Sequence, residues 1–140
     1  MYEHILIPTD GSRGAKKATR QAIEMASQND STLHGLYVIN TGELGFAATP
    51  DDISETKARL RRRGEEVLAD LADQAETAGV PVVTDVASGI THEEILEYVA
   101  ENGIDLVVMG KHGYLDPDSH VLGSVTQRVM RGTKIPVQAV

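Results

Sequence analysis

Short apolar runs alternate with helix-patterned segments from one end of this chain to the other, and that alternation limits the folds open to it. His4-Ile5-Leu6-Ile7-Pro8 is apolar almost from the start and is broken by Thr9-Asp10-Gly11-Ser12. A helix is expected from about Ser12 to Gln28, with Ala15, Ala18, Ala22, Ile23, Met25 and Ala26 mainly on one face. Thr32 to Ile39 is a second strand. Thr41 to Pro50, with two glycines and a proline, is a loop. Asp51 or Asp52 can cap a long helix from about Ile53 to Ala78, apolar at Leu60, Val67, Leu68, Leu71 and Ala75 and stopped by Gly79. Pro81 to Ala87 is a third strand. Thr91 opens a short helix, with Glu94 placed for a capping box. Ile104 to Met109 is a fourth strand, Ser124 to Arg131 a fourth helix, and Pro136 to Val140 a fifth strand. Strands that alternate with helices imply an α/β fold with a mostly parallel sheet and helices on both faces. The near-continuous apolar strands fit burial on both sides.

The chain has 140 residues, which suits one domain spanning 1–140. Its formal net charge of -8 argues against nucleic acid as a partner, because a phosphate backbone would be repelled. It leaves room for a small anion at a locally positive site. The absence of cysteine excludes disulfides, thiolate catalysis and Cys-based zinc sites. No apolar run reaches the ~18 residues of a membrane span, so no membrane partner is expected and the expected compartment is the cytoplasm.

The chemistry concentrates in one place. Met109-Gly110-Lys111-His112-Gly113 follows the fourth strand, and Gly123-Ser124-Val125-Thr126 opens the fourth helix. Strand, glycine loop and helix N-terminus is an arrangement that binds phosphate, through unpaired backbone N–H groups and the positive end of the helix dipole. In an open parallel sheet, ligands bind beyond the carboxyl ends of the strands, where the strand order reverses. With strand one central, that point lies between the tips of strands one and four. Asp10 can then accept hydrogen bonds from ribose hydroxyls or a base edge. Val38 can pack on the base, and Lys111 and His112 can offset phosphate charge. Asp116, Asp118 and His120 lie in the spacer and are candidates to help hold a divalent metal on the phosphates.

Plainer readings stand beside these. Gly110 and Gly113 also fit ordinary strand-to-loop punctuation, Ser124 fits a helix N-cap, and Asp10 or Ser12 fits a cap for the first helix. Arg61-Arg62-Arg63 fits a solvated helix face. His4, His34 and His92 have no metal-site spacing. The chain has no G-x-x-x-x-G-K-[ST] loop, no G-x-G-x-x-G, no H-E-x-x-H and no G-x-S-x-G. No catalytic residue is assigned.

Over its whole length the chain resembles the universal stress protein family. The likeness rests on His4 to Ser12, on Gly89, on Asp105-Leu106-Val107-Val108-Met109-Gly110, and on Lys134-Ile135-Pro136-Val137. The spacing G-x2-G-x9-G-[ST], met by Gly110, Gly113, Gly123 and Ser124, marks that family's ATP-binding branch. The resemblance implies a Rossmann-like three-layer sandwich, similar to adenine nucleotide alpha hydrolases, with a five-stranded parallel sheet in order 3-2-1-4-5. It implies ATP or a related adenine nucleotide, with Mg or Mn on the phosphates. It implies a homodimer formed through the last strand, 136–140. The implied contacts are Pro8, Thr9, Asp10, Val38, Met109, Gly110, His112, Gly113, Gly123, Ser124, Val125 and Thr126. The function implied is a nucleotide-dependent sensor or regulator of the stress response. A slow ATPase or nucleotide-transfer enzyme in the same crevice, or a nucleotide-free dimeric interaction module, are the alternatives.

Overall fold

The strands stack in the order β3-β2-β1-β4-β5, with every neighbouring pair parallel. This computed structural model describes residues 1–42, 49–111 and 122–140. The elements are β1 His4–Pro8, α1 Arg13–Asn29, β2 Thr32–Asn40, α2 Pro50–Thr77, β3 Val82–Gly89, α3 Thr91–Glu101, β4 Leu106–Met109, α4 Ser124–Gly132 and β5 Val137–Ala139. The expected fold class, element order and sheet order are all met.

Side chains of β1 and β4 alternate between two cores, because successive residues of a strand point to opposite faces. Ile5 and Ile7, with Leu106 and Val108, pack on Ala18, Ala22 and Ala26 of α1 and on Leu71 and Ala75 of α2. Leu6, Val107 and Met109 pack on Ile95, Tyr98 and Val99 of α3 and on Val129 of α4. Helices α1 and α2 therefore cover one face, and α3 and α4 the other. The α2 face is seated closely on β2: a Cβ on Gly64 would lie 2.5 Å from the Tyr37 ring.

The helix starts differ from expectation in three places. α2 begins at Pro50, not near Ile53, and its cap is Thr49, whose Oγ1 accepts from the Asp52 amide at 3.1 Å. Proline suits the first helical position because its φ is preset and it has no N–H to leave unpaired. Asp51 and Asp52 fall in the first turn, where the helix dipole favours carboxylates. In α3 the capping box is not made. β3 runs on to Gly89, so the cap position falls on Ile90 and Thr91 is already helical. Gly89, at φ 155°, leaves room for Glu94, whose Cγ would lie 2.8 Å from an added Cβ. Ser124 is likewise the first residue of α4, and Gly123 takes the cap position without a side-chain bond. β4 starts at Leu106, two residues late, and the Asp105 carboxylate before it is bound to the start of β1. Its oxygens accept from the amides of Glu3 at 2.9 Å and His4 at 3.2 Å.

A polar chain crosses the α3 side of the sheet. His4 Nδ1 lies 3.0 Å from His34 Nε2, and His34 Nδ1 lies 2.8 Å from Tyr98 Oη. A single proton can sit between the two facing imidazole nitrogens, so both rings cannot be cations in this geometry. Burial, and then the charge on His4, push the His34 pKa below its ordinary value. Burial, and then the charge on Asp85, raise that of Tyr98, which keeps its hydroxyl proton. A histidine held neutral in the fold stabilises fully above the unfolded value of about 6.5, and that contribution is lost as pH falls from there toward the depressed folded value. Urea unfolding from pH 8 to pH 5 should therefore show stability dropping below about pH 6.5. His34→Leu should flatten that part of the profile, and an unchanged profile in the variant would contradict the assignment.

Candidate functional site

The carboxyl ends of β1 and β4 lie side by side at the centre of the sheet, with the crossover between them. The loop after β1 is held by its own side chains. The Thr9 amide donates to the Leu36 carbonyl at 2.9 Å, and Thr9 Oγ1 accepts from the Gly11 amide at 3.1 Å. Asp10 Oδ1 accepts from the Ser12 amide at 2.9 Å. Ser12 caps α1, with Oγ accepting from the Ala15 amide at 3.2 Å. The plain reading of Ser12 as a cap is thus met. Asp10 is fixed through one oxygen, and its Oδ2 has no bond to a described residue.

The tip of β4 is pinned on three sides. A Cβ on Gly110 would lie 2.8 Å from the carbonyl carbon of Gly14 and 3.1 Å from the Ala15 nitrogen, so the tip rests directly on the backbone of the first turn of α1. The Lys111 amide donates to the Val140 carbonyl at 2.9 Å, and the Val140 amide to the Met109 carbonyl at 2.8 Å. The Gly123 amide donates to the Lys111 carbonyl at 2.7 Å, and Thr126 Oγ1 donates to the Gly110 carbonyl at 3.1 Å. The first internal bond of α4 runs from the Gln127 amide to the Gly123 carbonyl at 3.1 Å. The amides of Ser124, Val125 and Thr126 precede it and remain as the orphan donors of the helix start. Beside the β4 tip they are donors that an anion can take.

The residues expected from sequence fall into three groups. Pro8, Thr9, Asp10, Met109, Gly110, Gly123, Ser124, Val125 and Thr126 are brought to this end of the sheet by β1, β4 and α4. Val38 is half-buried on β2, two residues beyond the partner of Pro8, and packs on the α3–α4 core. His112 and Gly113, with the metal candidates Asp116, Asp118 and His120, lie outside the described residues. Sequence reasoning missed Gly14, whose only signal is its small size in the first turn of α1. It also missed that the Thr126 side chain is buried, at 4% exposure, with its hydroxyl turned to Gly110.

A cleft of about 390 Å³ opens on the other flank of the β1 loop, between α1 and α2. Thr9, Gly11, Lys16 and Arg63 line it, but so do Glu66 and Asp70. The paired carboxylates suit an anion less well than the amides of α4. The groups with displaced pKa values, His34, Glu94 and Tyr98, all lie on the α3 side of the fold, on β2 and α3, and none belongs to either tip. Among the described residues the geometry supplies hydrogen-bond donors and one unbonded carboxylate oxygen, which is equipment for holding a ligand. Gly110→Ala should force the β4 tip off α1, a clash with backbone that overpacking precedents put at about 1–3 kcal/mol. Thermal unfolding checks this, and a variant as stable as the parent would show that the contact can relax.

The comparisons with known proteins agree with this geometry. The family model described as "Universal stress protein family" matches residues 1–140. Universal stress protein MJ0531 of Methanocaldococcus jannaschii is 33% identical over 100% of this chain and 82% of its own length. The solved structure of MJ0577, from the same organism, superposes with a TM-score of 0.90 at 29% identity, covering 100% of this chain and 96% of that one. A universal stress protein solved in complex with cAMP has a TM-score of 0.72 at 22% identity, over 99% and 96% of the two chains, a likeness of fold alone. With the whole chain matched by the family model and a full-length relative at this identity, the chain belongs to the universal stress protein family.

Proposed function

We propose that the crevice between the β1 and β4 tips binds an adenine nucleotide, ATP foremost, and that the chain acts as a nucleotide-dependent regulator of the stress response. The carrying observation is the uncapped start of α4, with its three orphan amides beside Gly110. Phosphate groups are among the anions such donors favour. In this reading Asp10 Oδ2 accepts from the ribose, Pro8, Thr9, Val38 and Met109 flank the base and sugar, and Gly110, Gly123, Ser124, Val125 and Thr126 take the phosphates. His112 and Gly113 complete the loop by the family motif. Family membership and a structural neighbour solved with cAMP support the ligand class. In this reading Mg or Mn is held through the phosphates.

The working unit in this reading is a cytoplasmic homodimer of single domains spanning 1–140. Among the described residues β5 is the outermost strand and pairs with β4 alone, so its outer edge suits pairing with a second copy. The net charge of -8 disfavours nucleic acid. No described helix is long and apolar enough to cross a membrane.

Equilibrium dialysis with ATP and Mg²⁺ tests the reading. The parent should retain a single nucleotide per chain. Asp10→Ala should weaken binding about tenfold or more, since a hydrogen bond to a charged acceptor contributes about 1.5–3 kcal/mol. No retention at millimolar ATP would contradict it.

A further inference from the structure

Thr126 presents a hydroxyl, which invites a role against phosphate, but its hydroxyl has another occupation. It is 4% exposed and donates to the Gly110 carbonyl, sixteen positions earlier in the chain. A helical threonine usually turns its hydroxyl back onto its own helix, as Thr19 does to Ala15 at 2.9 Å and Thr77 to Asp73 at 2.9 Å. At the start of α4 the corresponding carbonyls, of Leu122 and Gly123, accept from Gln127 instead, the first from Nε2 at 2.9 Å and the second from the amide at 3.1 Å. Thr126 departs from that habit and reaches across to the β4 tip.

Two successive carbonyls of that tip, Gly110 and Lys111, accept from the first turn of α4, one from a side chain and one from the Gly123 amide. The other side of Gly110 is closed by the backbone of Gly14, with 2.8 Å available to a Cβ. The tip is thus clamped between the first turns of α1 and α4. The orphan amides belong to one jaw of that clamp and the Asp10 loop leads into the other.

We propose that Thr126 is a positioning residue: its side chain registers the first turn of α4 against the β4 tip, so that the amides of Ser124 and Val125 meet the ligand in fixed geometry, while the hydroxyl itself touches Gly110 and not the nucleotide. This rests on the nucleotide reading above, and the test separates the two.

Three proteins are compared: the parent, Thr126→Val, which keeps the branched shape and loses the donor, and Thr126→Ser, which keeps the donor. Amide resonances of Gly110, Lys111 and Gly123 are recorded without nucleotide, and AMP affinity is measured by calorimetry. Valine should shift those resonances in the nucleotide-free protein. It should also weaken AMP about tenfold, the scale of one lost buried hydrogen bond. Serine should restore the resonances and bring affinity to within about twofold of the parent. Unmoved resonances with weakened AMP binding would overturn the proposal, since the hydroxyl would then be a direct ligand contact. Failure of serine to restore either readout would overturn it as well. Should valine prevent folding, serine against the parent decides: serine must preserve both readouts. If the parent binds no AMP, affinity is read with ATP; if it binds neither, the nucleotide reading fails, and the nucleotide-free resonances still judge the positioning role.

Discussion

The site depends on one backbone-to-backbone approach. Gly110 meets Gly14 and Ala15 at distances that leave no room for a side chain. That contact brings the end of β4 onto the first turn of α1, and so brings the two loops at the sheet crossover within reach of each other. Everything else at this end of the molecule is arranged around it. Thr126 and Gly123 attach α4 to the same tip, and Val140 holds it from the β5 side through two backbone bonds. A larger residue at 110 would have to shift helix backbone, which is far less compliant than the end of a flexible side chain.

The polar groups not used by the site serve the fold. Ser31 Oγ donates to the Tyr2 carbonyl, and the Asp105 carboxylate takes two amides at the start of β1. The His4–His34–Tyr98 chain joins β1, β2 and α3. These groups secure the amino ends of the central strands, whereas the ligand-ready donors sit at the carboxyl ends. The division follows from the parallel sheet, whose amino and carboxyl ends are chemically distinct because every strand points the same way.

Much of this was legible in the sequence, for a physical reason. β1 and β4 are buried on both faces, so Ile5-Leu6-Ile7 and Leu106-Val107-Val108 appear as unbroken apolar runs, and the helices between them show one apolar face each. Gly110 stood out in the sequence because its close approach to α1 needs a residue without a side chain. Helix starts were less so. Thr49 and Pro50 outcompeted Asp51 and Asp52 for the start of α2, and the extra length of β3 moved the α3 cap onto Ile90. Both outcomes hinge on where a neighbouring loop or strand ends, which local pattern does not encode. The direction of the Thr126 hydroxyl was hidden for the same reason. It depends on a partner sixteen residues away in the chain.

The central claim is that the start of α4 and the β1 loop hold a nucleotide between them. Residue-resolved amide NMR during an ATP titration tests it most directly. The account predicts saturable shifts at Ser124, Val125, Lys111 and Asp10, with Thr19 and Glu66 in the α1–α2 cleft unmoved. Saturable shifts confined to that cleft, or none at the start of α4, would contradict it.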